Sequence, residues 1–136
     1  MKKELKTEKA PGAIGPYSQA VIQPIKVKGA ETLCGNIIFV SGQLPINPET
    51  GEMPEDIKAQ TKQSLENIKA ILEEAGAKMD NVLKTTVYLA DMSLFVPMNE
   101  VYGEYFSGVY PARAAFAVKE LPKQAKVEIE VVAFKD

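Results

Sequence analysis

Polar and apolar positions alternate with two different periods along this chain. From Glu55 to Ala75, the residues Ile57, Thr61, Leu65, Ile68, Leu72 and Ala75 recur at three- and four-residue steps, as on one face of a helix. Gly76 follows as the residue that can take the left-handed turn closing it. A second helix is predicted after Asp91 or Ser93, either of which can cap it, with Pro97 in its first turn. Its apolar face is Met98, Val101, Tyr102, Tyr105 and Phe106, and Gly108 ends it. Elsewhere the period is two, or the apolar run is continuous. Gln19 to Ile25 reads as a strand broken or ended at Pro24, with Lys26 and Val27 as an extension and a turn over Gly29–Thr32. Asn36 to Ser41 is a strand buried on both faces, and Asn47–Gly51 a turn. Leu83–Leu89, Ala112–Lys119 and Lys126–Phe134 are further strands, the last two joined as a hairpin through Leu121–Gln124. The Pro/Gly segment Ala10–Pro16 cannot lie inside a helix or a central strand.

The order is strands, helix, strand, helix, two strands, which is an α+β single domain spanning residues 1–136. Two helices can cover only one face of such a sheet. The last strand nevertheless alternates Val127, Ile129, Val131 and Ala133 with Glu128, Glu130, Val132 and Phe134, so both faces carry apolar side chains. An uncovered face with Val132 and Phe134 calls for another subunit, and a homo-oligomer is expected.

Composition then narrows the chemistry. The 136 residues include no His and no Trp, and one Cys, Cys34. Fifteen of the sixteen basic residues are Lys, and the one Arg is Arg113. A Ser-His-Asp or Cys-His machine cannot be built in one chain, nor can a His-based or four-cysteine metal site. Acid and base work must come from carboxylates, Tyr, Lys, backbone groups or water. A net charge of −2 with interspersed signs argues against nucleic acid as a partner. Met1–Lys6 has no apolar segment behind it, Glu4 and Glu8 do not suit a transit peptide, and no apolar run nears the roughly 18 residues of a membrane helix. A soluble, cytoplasmic protein with no membrane partner is expected.

Four places can carry chemistry. Arg113 offers a planar fork that pairs with a carboxylate in a way Lys cannot copy; a structural ion pair to Glu128 or Glu130 would use the same fork. Glu128 and Glu130 share one strand face beside apolar neighbours, which suits a general acid or base and equally a solvent-facing stripe. Tyr17 follows the Pro/Gly loop and can line a pocket or plug the core. Ser41-Gly42-Gln43 ends a buried strand with a glycine that permits close approach, or serves a turn. Nothing near Cys34 in sequence suggests a reactive thiolate.

Taken in order, Gly12–Ala20, Val40–Pro45, Asn81–Val87, Tyr110–Phe116, Leu121–Lys123 and Val127–Glu130 closely resemble the RidA (YjgF) family of reactive-intermediate deaminases over nearly the whole chain. The resemblance implies a chorismate-mutase-like fold, a mixed β-sheet with two helices packed on one face, in a homotrimer with sites at the subunit interfaces. It implies 2-iminobutanoate/2-iminopropanoate deaminase activity on small imino and enamino acids, with no metal or cofactor. Carried over by position, Arg113 clamps the substrate carboxylate, Glu128 positions or activates water, and Tyr17 and Asn99 line the pocket. The Ala115 amide helps hold the carboxylate and the Gly42 carbonyl the water. Where many members carry a Cys two residues after the arginine, this chain has Ala115. Val21–Gly35 is longer than the family's usual hairpin, which bears on the pocket rim and substrate preference. A non-catalytic module binding 2-oxo acids, and an RNA-cleaving translation inhibitor, are the alternatives the family admits.

Overall fold

The computed structural model describes every residue except Val27 and residues 30–32, so the expected extension at Val27 and most of the turn after Gly29 lie outside the described residues. Six strands, β1 (Lys3–Leu5), β2 (Ala20–Lys26), β3 (Leu33–Gln43), β4 (Val82–Leu89), β5 (Ala112–Ala117) and β6 (Val127–Lys135), form one sheet in the order β1-β2-β3-β6-β4-β5. Helix α1 (Ile57–Glu74) lies against β3 and β6, and α2 (Phe95–Gly103) packs beside α1. No helix is long and apolar enough to cross a membrane among the described residues.

The period-two pattern of β6 sets the architecture. Val127, Ile129, Val131 and Ala133 are buried under the helices, while Glu128, Glu130, Val132 and Phe134 face the other way and are half-buried. β6 pairs antiparallel with β3 on one side and β4 on the other. The core is then Ile38, Val40, Val87 and Leu89 from the neighbouring strands, Leu65, Ile68, Ile71 and Leu72 from α1, and Met98 and Tyr102 from α2. The opposite face stays open, with Phe39, Leu83 and Phe116 each at least 45% exposed. The mixed sheet with helices on one face is as expected.

Helix α1 starts where its cap allows. The Asp56 carboxylate accepts from the Ala59 N–H at 2.9 Å, and Gly76 closes the far end at φ +72°. The second helix differs from expectation. Asp91 caps a short 3-10 turn over Met92–Leu94, accepting from the Ser93 N–H at 2.7 Å, and α2 begins only at Phe95. It ends at Gly103 rather than Gly108, so Tyr105 and Phe106 lie beyond it. Tyr105 there donates to Glu66 of α1 at 2.7 Å, a tertiary contact that outweighs helical spacing.

The strands hold further corrections. β2 runs through Pro24, paired opposite Asn36. β1 pairs only with Ala20–Ile22, so Pro24 is at a sheet edge where its missing N–H costs little. β1 itself carries no apolar pattern and was not expected. β3 begins at Leu33, ahead of the expected Asn36, so Cys34 is in the strand, and it is exposed. The expected hairpin between the last two strands is absent: β5 pairs parallel with β4, and β6 inserts between β3 and β4. The α2 crossover between β4 and β5 is what a parallel pair needs.

Candidate active site

One cleft, of about 720 Å³, collects three of the expected residues: Tyr17, Gly42 and Glu128. Its walls are the Pro/Gly arm at Pro11, Gly12 and Ile14, the end of β3 with Leu44–Pro48, and Pro122 and Lys123. A larger hollow of about 1090 Å³ lies across the arm among Glu4, Lys6, Glu8 and Lys9; of the expected residues it touches only Tyr17.

A bulge in β3 makes the cleft floor. Val40 pairs with Val131 but Gln43 with Ile129, so β3 carries one extra residue there, and Gly42 falls on it. The Glu128 carboxyl lies directly over Gly42. A Cβ on residue 42 would overlap Glu128 Oε1 and sit 2.9 Å from its Cδ, which is why this position is glycine. Burial, and next the charge of Glu130, raise the Glu128 carboxyl above the usual carboxylate range. Glu130 in turn accepts from Tyr88 Oη at 3.0 Å. Tyr17 is half exposed at the end of the arm, its N–H bonded to the Gly15 carbonyl at 2.9 Å.

Arg113, Asn99 and Ala115 stand elsewhere. In the β4–β5 register Arg113 is opposite Thr85, which is fully buried on the helix side. Its guanidinium stacks 4.6 Å from the Tyr102 ring centre and 5.4 Å from that of Phe95. One nitrogen donates to Asn99 Oδ1 at 2.6 Å. The Tyr102 hydroxyl, raised above its ordinary value mainly by burial, shares a 2.8 Å hydrogen bond with Thr85 Oγ1 and fixes the ring under the guanidinium. Ala115, two residues on, shares that side of the edge strand. Arg113 forms no ion pair with Glu128 or Glu130, because those side chains project from the opposite face of the sheet. The structure thus sets two groups apart: a cleft holding a carboxyl raised above the usual carboxylate range, and a guanidinium stacked on Tyr102 and Phe95 and bonded to Asn99. Among the described residues no group of three or more His, Cys, Asp and Glu gathers to hold a metal.

The sequence reading missed the side chains that hold the cleft walls. Asn67 of α1 donates to the Leu44 carbonyl at 3.2 Å and the Ile46 carbonyl at 2.9 Å. Gln60, one heptad earlier, donates to Pro54 at 2.8 Å and accepts from the Lys126 N–H at 2.8 Å. Gln19 donates to the Thr7, Ala10 and Pro11 carbonyls at 3.0, 3.2 and 2.8 Å. All three are buried. The available signal was two carboxamides, Gln60 and Asn67, inside the apolar stripe of α1, where only a partnered amide is tolerated.

A family model described as endoribonuclease L-PSP matches residues 7–135. A RutC family protein of Pyrococcus abyssi is 57% identical over 131 residues, 96% of this chain and 94% of that protein. The 2-iminobutanoate/2-iminopropanoate deaminase of Escherichia coli strain K12 is 45% identical over 136 residues, 98% of each chain. The crystal structure of the E. coli YjgF gene product superposes with a TM-score of 0.85 at 43% identity, covering 98% of this chain and 99% of that one.

Proposed function

We propose, from the premise that this chain belongs to the endoribonuclease L-PSP (YjgF/RidA) family, that it is a 2-iminobutanoate/2-iminopropanoate deaminase. Water adds to the C=N carbon of a 2-imino acid, and ammonia leaves to give the 2-oxo acid. The observation that carries this reading is the Glu128 carboxyl, raised by burial and seated over Gly42 in an open cleft.

The steps follow from those groups. Ionised Glu128 takes a proton from the attacking water as its oxygen bonds to the imine carbon, and passes that proton to the imine nitrogen as the C=N π bond opens. The resulting carbinolamine collapses when Glu128 takes the hydroxyl proton and delivers it to the amino nitrogen: the C–N bond breaks, ammonia departs, the carbonyl forms and Glu128 is ionised again. The Gly42 carbonyl accepts from the water, and Tyr17 closes the cleft over the substrate. Arg113 takes the substrate carboxylate in its fork, with the Ala115 amide beside it, while Asn99, Tyr102 and Phe95 hold the guanidinium still.

Arg113 and Glu128 lie on opposite sheet faces of one chain, so a complete site takes Arg113, Asn99 and Ala115 from one copy and Tyr17, Gly42 and Glu128 from another. A homotrimer with sites at its interfaces meets that need, and the open face around Phe39, Leu83 and Phe116 supports it. An RNA-cleaving role gains no support from a net charge of −2 and a chain without His.

The test is a coupled assay in which threonine dehydratase supplies 2-iminobutanoate. The protein should speed loss of the imine, and no acceleration would reduce it to a binding module. Arg113→Ala and Glu128→Gln should each be inactive alone. Refolded together in equal amounts, they should regain about a quarter of normal activity if each site draws on two copies. No recovery would place both residues in one copy's site.

A further inference from the structure

The turn that ends the cleft wall is wound against its own residues. Lys123 has φ +57° and ψ +25°, and Gln124 has φ +56°; they are the only non-glycine residues with positive φ among those described. The Gln124 N–H donates to Leu121 and the Ala125 N–H to Pro122, each at 3.2 Å. Pro122–Ala125 is therefore a turn whose two central residues both take positive φ, a geometry that Asn-Gly adopts with least strain. Lys and Gln hold it against the clash of Cβ with the backbone, and strain kept beside a reactive site points to a use for the side chain it presents.

Lys123 lines the same cleft as Tyr17, Gly42 and Glu128. Among the described residues it is the one basic side chain there, as Glu128 is the one acidic. It forms no ion pair among the described residues. A cation left unpaired in a cleft is available to an anionic ligand. The 2-carboxylate of the substrate is already assigned to Arg113, so the charge free to meet Lys123 is at the far end of the substrate. An ammonium is a point charge on a flexible stem, which suits a distal carboxylate reached by side chains of different length.

We propose that Lys123 is a specificity-determining residue that binds the distal anionic group of the substrate, so that the enzyme also accepts 2-imino dicarboxylates such as 2-iminosuccinate and 2-iminoglutarate. This rests on the deaminase reading above. The reaction is unchanged: water adds at C2 and ammonia leaves, with the distal carboxylate taking no part.

The test compares 2-iminobutanoate, made by threonine dehydratase, with 2-iminoglutarate, made by a flavin oxidase acting on glutamate. Lys123→Asn should lower kcat/KM for 2-iminoglutarate about tenfold, a loss typical of one ion pair. It should leave 2-iminobutanoate within about twofold and raise Tm by a few degrees as the turn relaxes. Lys123→Arg should keep the dicarboxylate activity. Calorimetric titration with 2-oxoglutarate and 2-oxobutanoate supplies a readout free of turnover, and only the former should bind more weakly to Lys123→Asn. Equal effects on both ligands, or on neither, would overturn the proposal, as would a wild-type protein that turns over 2-iminobutanoate but not 2-iminoglutarate. A wild type inactive on every imine would instead sink the deaminase reading, and the titrations would then decide the role of Lys123 alone.

Discussion

Replacing Gly42 with Ala perturbs one thing. The backbone there is outside the left-handed region, so alanine adopts it freely. The new methyl has nowhere to go: it would overlap Glu128 Oε1, with Cδ at 2.9 Å and Cγ at 3.2 Å. Carbon atoms rest at about 3.5–4.0 Å, so the carboxyl has to withdraw by roughly 1 Å. A misplacement of about 1 Å at a reacting group costs about 10²-fold in rate, or close to 2.7 kcal/mol of transition-state stabilisation. Overpacking itself costs about 1–3 kcal/mol of stability, and the half-buried, movable carboxylate puts the expected loss at the lower end, near 1 kcal/mol. The dehydratase-coupled assay reads the rate, and thermal unfolding reads the stability, with Tm falling by about 2–4 °C. Because the methyl acts through Glu128, the double variant Gly42→Ala, Glu128→Gln should be no slower than Glu128→Gln alone. A Gly42→Ala protein within twofold of normal turnover, or a double variant that loses the full product of both effects, would refute the reasoning.

Arg113→Lys keeps the charge but loses the fork and the stack on Tyr102, so kcat/KM should fall by about 10²-fold or more; near-normal turnover would remove the clamp role. The acid limb of the kcat/KM profile should lie above the ordinary glutamate range and vanish in Glu128→Gln. The same raised carboxyl favours its protonated form in the folded state. Its contribution to stability is therefore present below the unfolded value and lost as pH rises through the folded one, so Glu128→Gln should melt higher than the parent at pH 7 and not at pH 4. Asn67→Leu strands the Leu44 and Ile46 carbonyls and should cost about 1–3 kcal/mol, read by denaturant titration; an unchanged midpoint would mean those carbonyls find other partners.

Local signals were legible where one element decides its own fate. The α1 stripe, its Gly76 stop and the alternation in β6 follow from side-chain period alone, and so does the bare face that follows from having only two helices. Pairing was not legible. β5 and β6 are consecutive with a turn between them, yet β6 enters the sheet two places away because its apolar residues bury better between β3 and β4. The length of α2 was overestimated because Tyr105 and Phe106 keep helical spacing while the backbone already tightens, the Glu104 and Tyr105 N–H groups bonding three residues back to Val101 and Tyr102. At the site, motif order singled out Tyr17, Gly42, Arg113 and Glu128, and the fold brings Tyr17, Gly42 and Glu128 to one cleft. That Arg113 and Glu128 face opposite ways depends on the parity of each strand's register, which only the assembled sheet fixes. Lys123 stood in a quoted motif without a role, since backbone strain leaves no mark in composition.

The position of β6 also sets an order of events in time. Of the six strands it is the last in sequence order, and it alone joins β2 and β3 to β4 and β5. Until Lys135 is available, the nascent chain holds two unconnected sheet fragments with bare edges and an amphipathic α1 with only β3 beneath it. The six-stranded sheet therefore closes in one concerted step once β6 is present. The unfinished chain, with Ile37–Val40 unpaired on one edge, is the form most exposed to aggregation and most in need of a chaperone.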